Sequence, residues 1–142
     1  PSWSSAASDV YKRQLKKLKF DQSVDDNQNQ LLFLTCCEKS LTYFADEVSS
    51  YFKNDLKDFN TLNFFYKWRE LSEISTISNI IINEIGQNGF INQINLFKSN
   101  ILQKDNDNLI VSTQSNDLKK FNLLLDKYET FKDLLRKMLD EC

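Results

Sequence analysis

The side chains that could take a proton, hold a metal or attack an electrophile are sparse in this chain. There are 18 Lys and Arg, 20 Asp and Glu and three cysteines, but no histidine. Without imidazole, this stretch cannot build the usual serine or cysteine triads, His-based proton shuttles or most catalytic zinc sites. Cys36 and Cys37 are adjacent, so they do not form a C-x-x-C clip, and Cys142 brings the set only to three sulfurs. Inside a helix the pair reads as small buried apolar groups, with a reactive thiol as the alternative. Asp105-Asn106-Asp107-Asn108 starts like a calcium loop. Its sixth position is Ile110 and its twelfth Asn116, where glycine and a bidentate glutamate are needed, so it reads as a solvated loop. Glu70, Glu73 and Glu84 lie within a few helical turns of one another but lack the Glu-x-x-His partner of di-iron bundles, and they read as surface carboxylates near Arg69. Gly86 and Gly89 do not make a phosphate-cradling loop. No catalytic, cofactor-binding or metal-ligating residue is assigned.

The densest feature is Phe64-Phe65-Tyr66-Lys67-Trp68-Arg69. Successive helical residues are about 100° apart, so these aromatics cannot all face one core. Phe64 and Trp68 share a stripe. Phe65 and Tyr66 point elsewhere, towards another helix or a partner, and with Arg69 they are the candidate partner-binding residues. Core packing is the bland alternative, and base stacking a third. Lys16, Lys17 and Lys19 near the start and Lys119 and Lys120 near the end are the like-charged clusters, each expected to be a solvated face.

The elements that must carry these residues are helical. Two glycines and one proline are too few for the turns of a β-rich fold. Apolar spacing predicts four helices. Helix A spans about Asn27–Lys53, capped by Asp25 or Asp26, with a stripe of Leu31, Leu34, Cys37 or Glu38, Leu41, Phe44, Val48 and Tyr51. Helix B runs from Asp58–Thr61 to Ile85, with Phe64, Trp68, Leu71, Ile74, Ile77 or Ser78, Ile81 and Ile85 inward and Gly86 at its C-terminus. Residues 86–89 are a turn. Helix C spans Phe90 to about Gln103 on Phe90, Ile94, Phe97 and Ile101. Within residues 104–116, Leu109–Val111 is either an extended strap or the first turn of the next helix. Helix D spans about Asp117–Leu139 on Leu118, Phe121, Leu125, Tyr128, Phe131 or Lys132, Leu135 and Met138, with Leu124 and Leu134 widening the stripe. The fold class is all-α: about four amphipathic helices in an antiparallel up-down bundle or a section of helical array.

Residues Ser4 to Gln14, SSAASDVYKRQ, resemble codon by codon the in-frame translation of a transposase adapter used in DNA-sequencing libraries. The resemblance implies that residues 1–14 are not native sequence, so they are set apart from fold reasoning. They are expected to be unstructured or a helical extension of no functional meaning. Residues 15–30 then form a polar lead-in, with Leu15–Phe20 as the tail of a helix that begins earlier, and residues 31–142 a single helical domain. Met138 is the sole methionine, which fits a fragment of a longer protein.

Leaving out Asp9, Lys12 and Arg13 moves the net charge from −2 to −3, which argues against a nucleic-acid partner. No apolar run approaches the roughly 20 residues of a membrane span. The odd cysteine count and the absence of Asn-x-Ser/Thr point to a reducing, cytoplasmic setting. The expectation is a non-catalytic helical interaction or assembly module, a late part of a larger intracellular protein that meets a protein partner or the rest of its parent chain. A helical accessory domain of an enzyme with its active site upstream is the alternative, and a nucleic-acid-binding domain the third.

Overall fold

The computed structural model describes residues 3–21, 23–52, 56, 58–107 and 114–141, and everything below concerns those residues. It is all-helical: α1 (Trp3–Lys16), α2 (Val24–Ser49), a 3-10 turn (Phe59–Thr61), α3 (Phe64–Leu71), α4 (Ser78–Ile85), α5 (Phe90–Asp107) and α6 (Gln114–Asp140). No described helix is long and apolar enough to cross a membrane.

Helix α2 starts earlier than its apolar spacing suggests, because the cap is Ser23 rather than Asp25 or Asp26. The Ser23 hydroxyl accepts from the Asp26 backbone N–H at 3.1 Å. Asp25 and Asp26 then fall in the first turn, where the helix dipole favours carboxylates. Asp26 is buried and accepts from the Lys19 N–H (2.7 Å) and the Gln30 side chain (2.9 Å), which ties the connection between α1 and α2 to the helix. Phe20 in that connection has a φ of 53°, a conformation costly for a bulky residue. Its ring is buried against Phe121 at 5.6 Å, and that burial offsets the backbone cost.

The expected helix B is two helices. Ser72 turns its hydroxyl back to the Arg69 carbonyl at 2.5 Å, and residues 73, 74 and 77 bond three residues back instead of four. Serine and β-branched residues in 72–78 favour this interruption. The tight turns still advance the chain helically, which is why a 3.6-residue pattern runs through the break. Gly86 ends α4 in extended conformation, not the left-handed one expected of a C-terminal glycine. Gly89 has the stronger requirement, because a Cβ there would lie 2.1 Å from the Glu84 carbonyl oxygen.

Helices α2 and α6 supply most of the core: Phe33, Leu34, Cys37, Leu41, Phe44, Ala45 and Val48 from one, and Phe121, Leu124, Tyr128, Phe131, Leu135 and Leu139 from the other. Leu31, Phe97, Leu125 and Met138 are half-buried, while Tyr51, Leu118 and Leu134, expected inward, are exposed. Tyr51 follows the end of α2 and so leaves its stripe. Leu109–Val111 lies outside the described residues.

Residues 3–14, set apart on sequence grounds, are helical in one piece with Leu15 and Lys16 and lie along α2. This is more than an idle extension: Tyr11 is fully buried. Ala6, Ala7, Arg13 and Gln14 are good helix formers, and Tyr11 precedes Leu15 by four residues on the same stripe.

The Gly89 geometry gives a stability prediction. Gly89→Ala should destabilise the fold by roughly 1–3 kcal/mol, because backbone must move to admit the methyl group. Gly86→Ala should stay within about 0.5 kcal/mol of the parent, since its Cβ would meet nothing closer than 3.5 Å. Urea unfolding midpoints of the two variants measure the difference.

Candidate functional site

Three places gather the residues that could act: a buried polar cluster around Lys132, the outer face of α3, and a groove between α4 and α6. Lys132 sits on the apolar stripe of α6 with only 3% of its surface exposed. Its ammonium donates to Ser8 Oγ at 2.8 Å, Tyr11 OH at 3.1 Å and Glu129 Oε1 at 3.2 Å. It also lies 4.6 Å from the Tyr128 ring centroid and 5.5 Å from that of Tyr11. Tyr11 donates to Glu129 at 2.8 Å, and Tyr128 shares a 2.7 Å hydrogen bond with Ser40.

Burial lowers the Lys132 pKa against the pull of Glu129, and burial raises the Tyr11 and Tyr128 hydroxyls well above the tyrosine range. For Glu129, desolvation acts upwards. The Tyr11 hydrogen bond and the Lys132 charge outweigh it and hold the carboxyl below its ordinary value. Every member thus has an internal partner, and the lysine is enclosed. The arrangement suits a structural link between α1 and α6 more than turnover. Nothing singled out Lys132 in the sequence as a site residue. The available signal was a lysine four residues after Tyr128 on an apolar stripe, a position that demands an internal acceptor.

On α3, Phe64, Lys67, Trp68 and Leu71 face inward. The Trp68 indole N–H donates to the Leu41 carbonyl of α2 at 3.1 Å, and Lys67 pairs with Asp46 at 2.5 Å while lying over the Phe59 ring. The opposite face presents Tyr66, 49% exposed, and exposed Arg69. Phe65 is half-buried against the core, its ring edge-on to Tyr66 at 6.1 Å. The three candidate residues therefore form one outward face with Phe65 as its base.

The groove between α4 and α6 encloses about 400 Å³, with Ile80, Phe131 and Leu134 below a rim that includes Asn79, Asn83 and Thr130. Ile82 and Leu123 are exposed on the same two helices. Cys37 is fully buried and Cys36 half-buried, and desolvation raises both thiols away from the reactive thiolate form. Glu70, Glu73 and Glu84 are spread over α3, the turn after it and α4, and Glu84 accepts from the Phe90 N–H at 3.2 Å at the start of α5. Among the described residues no three metal-ligating side chains converge. Comparison with protein-family models, curated proteins and solved structures gives no match.

The lowered Glu129 pKa fixes a sign. Folding favours the ionised carboxylate, so its contribution is present above the unfolded value, near 4.5, and is lost as pH falls through the lower folded value. Glu129→Gln should therefore flatten the acid limb of a stability–pH curve below pH 4.5 and lower stability at neutral pH. Chemical denaturation at a series of pH values reads both. An unchanged acid limb would mean that the network around Lys132 does not depend on that charge.

Proposed function

We propose that this chain is a non-catalytic α-helical interaction or assembly module that docks a protein partner, or another part of its parent chain, on the outer face of α3. The observation that carries this reading is the division of labour on that helix. Phe64, Lys67, Trp68 and Leu71 anchor it to the bundle, which leaves Tyr66 half exposed beside exposed Arg69 on the outer face. Tyrosine and arginine recur as anchors of protein interfaces, since each offers a large contact area and a polar tip on a short list of rotamers. Phe65 stiffens the site from beneath by its edge-on contact with Tyr66. Several ionisable groups are spent internally: Lys132 on Tyr11 and Glu129, Lys67 on Asp46, and Asp26 on the Lys19 N–H and the Gln30 amide.

The reading separates binding from stability. Tyr66→Ala should leave the unfolding free energy within about 0.5 kcal/mol of the parent, as befits a surface position. The same change should weaken partner binding by roughly tenfold or more, the loss typical of an interface anchor. A photoreactive residue at position 66 should give a discrete protein adduct that Arg69→Glu suppresses, while one at exposed Lys39 on α2 should not. Equal labelling from both positions, or a Tyr66→Ala variant that binds like the parent, would remove the support for this face.

A further inference from the structure

The outer face of α3 does not end at Tyr66 and Arg69. Glu70 and Glu73 continue it, both exposed, and with Phe52, Leu56 and Ile74 they line a cavity of about 370 Å³ at the C-terminal end of the helix. Phe52, Leu56 and Ile74 are half-buried and packed against the core, so the floor of this cavity is apolar and braced. Tyr66 precedes Glu70 by four residues, which puts the two on the same side of the helix one turn apart.

The two carboxylates stand where the fold gives them no support. They are three residues apart, and like charges on one face of a helix repel. Glu70 lies in the last turn of α3 and Glu73 just past it, at the negative end of the helix dipole. Among the described residues neither side chain has an ion pair or a hydrogen bond, and Arg69, four residues before Glu73, pairs with neither. Glu38, Asp46, Glu47 and Glu129, by contrast, each hold a cation. Two unbalanced negative charges beside an apolar floor are the complement of a side chain with an apolar stem and a cationic head. Lysine and arginine are built that way.

We propose that the α3 face selects a basic segment of a partner protein, one of whose lysines or arginines sets its head on Glu70 and Glu73 and its stem on Phe52, Leu56 and Ile74. The inference rests on the reading of this face as a docking surface and adds the chemistry of what docks there. The Tyr66 ring borders the same cation and adds attraction through its face. Arg69 lies about 100° round the helix from Glu70 and meets an acceptor on the other flank of the same segment. An acidic segment would oppose Glu70 and Glu73 with like charge. A wholly apolar one would strip water from both carboxylates and return nothing.

The test uses the 142-residue chain and three end-capped pentapeptides, in which alanine and leucine flank a central arginine, glutamine or glutamate. Amide chemical shifts followed through each titration locate and measure binding. The arginine peptide should move the Tyr66 and Ile74 amides and bind at least about fivefold tighter than the glutamine peptide, with the glutamate peptide weakest. Glu70→Gln with Glu73→Gln should abolish that preference. Asp133→Asn with Asp140→Asn, exposed on α6 and equal in charge removed, should keep it. The Glu70→Gln, Glu73→Gln variant should also unfold at no lower urea concentration than the parent, since the charges it removes support no contact of the fold. Equal loss with both double variants would reduce the attraction to net charge and overturn the proposal. A lowered urea midpoint, a glutamine or glutamate peptide that binds as well as the arginine one, or no shift at Ile74 up to about 10 mM arginine peptide would overturn it too. A dimer of the chain that Glu70→Gln with Glu73→Gln dissociates would seat a second copy in the cavity and overturn the assignment to a separate partner. The docking reading is decided separately by the photoreactive residue at position 66: a discrete adduct there that survives Glu70→Gln with Glu73→Gln sinks this inference alone.

Discussion

The seam between α2 and α6 is filled by aromatic rings, and the placing of the other helices follows from keeping those rings dry. Close backbone approach is made by α1, α3 and α5 on α2 and by α4 on its neighbours. Helix α6 instead meets α2 through Phe33 and Phe121, stacked at 5.1 Å, and through Phe44 and Phe131, edge-on at 6.2 Å. Phe90 of α5 touches both Tyr128 (5.3 Å) and Phe131 (5.2 Å), and Trp68 of α3 closes on Phe131 at 5.0 Å and Phe44 at 5.5 Å. Offset and edge-on pairs of this kind add about 0.5–1.5 kcal/mol each beyond the area they bury. Rings this large hold two helices at a distance, and the intervening volume must be sealed at its ends. Helix α3 seals one end with Trp68, whose N–H is satisfied by Leu41. Helix α1 covers a further stretch with Tyr11, whose ring lies against Phe33 and Tyr128.

Polar contacts on α2 set register more than they supply stability. Three of its five acidic side chains each receive a cation from a different helix: Glu38 from Lys98 of α5 at 3.2 Å, Asp46 from Lys67 of α3, and Glu47 from Arg136 of α6 at 3.6 Å. Pairs as exposed as Glu47 with Arg136 contribute about 0–1 kcal/mol. The Lys67 head is nearly buried, so its pair with Asp46 is the one whose breaking would strand a charge. Three complementary pairs along one helix nevertheless discriminate against a bundle slipped by one turn, which would part each cation from its carboxylate.

Much of this fold was legible in the residues, because long helices with few glycines leave a period in the sequence. The inward residues Leu34, Leu41, Phe44, Val48, Trp68, Leu71, Phe121, Tyr128 and Leu135 all follow from spacing. What spacing misreads is local hydrogen bonding. Ser23 rather than an aspartate caps α2 because Asp26 is drawn into the connection by Lys19 and Gln30. The division between α3 and α4 was hidden since tight helical turns preserve the apolar rhythm across 72–77. On α3, the 100° step correctly separated Phe64 and Trp68 from Tyr66, but it could not say that Phe65 would be half covered, which depends on how neighbouring elements close over it. The Lys132 cluster was hidden for a further reason: two of its three acceptors, Ser8 and Tyr11, lie more than a hundred residues away in sequence, and spacing along one helix carries no information about them.

The same distance argument bears on where function is to be sought. A buried lysine with a lowered pKa is often the mark of an active site, because nucleophilic amines need their proton removed. Here the group that would accept such chemistry is walled in by Tyr11, Tyr128 and Ser8, and Glu129 supports the ammonium instead of competing for its proton. Lysine is thus acting as a polar bolt in an aromatic wall, where its stem packs with the rings and its head collects hydroxyls from the helix laid across it. A bolt of this type is specific about what it receives: an apolar helix would leave the ammonium unsatisfied, and a strongly acidic one would overfill a pocket already holding Glu129. The outer face of α3 imposes no such demand, since Tyr66 and Arg69 are hydrated when unoccupied. The Lys132 seam therefore discriminates by the cost of a wrong occupant, whereas the face proposed for docking would discriminate by the gain of a right one.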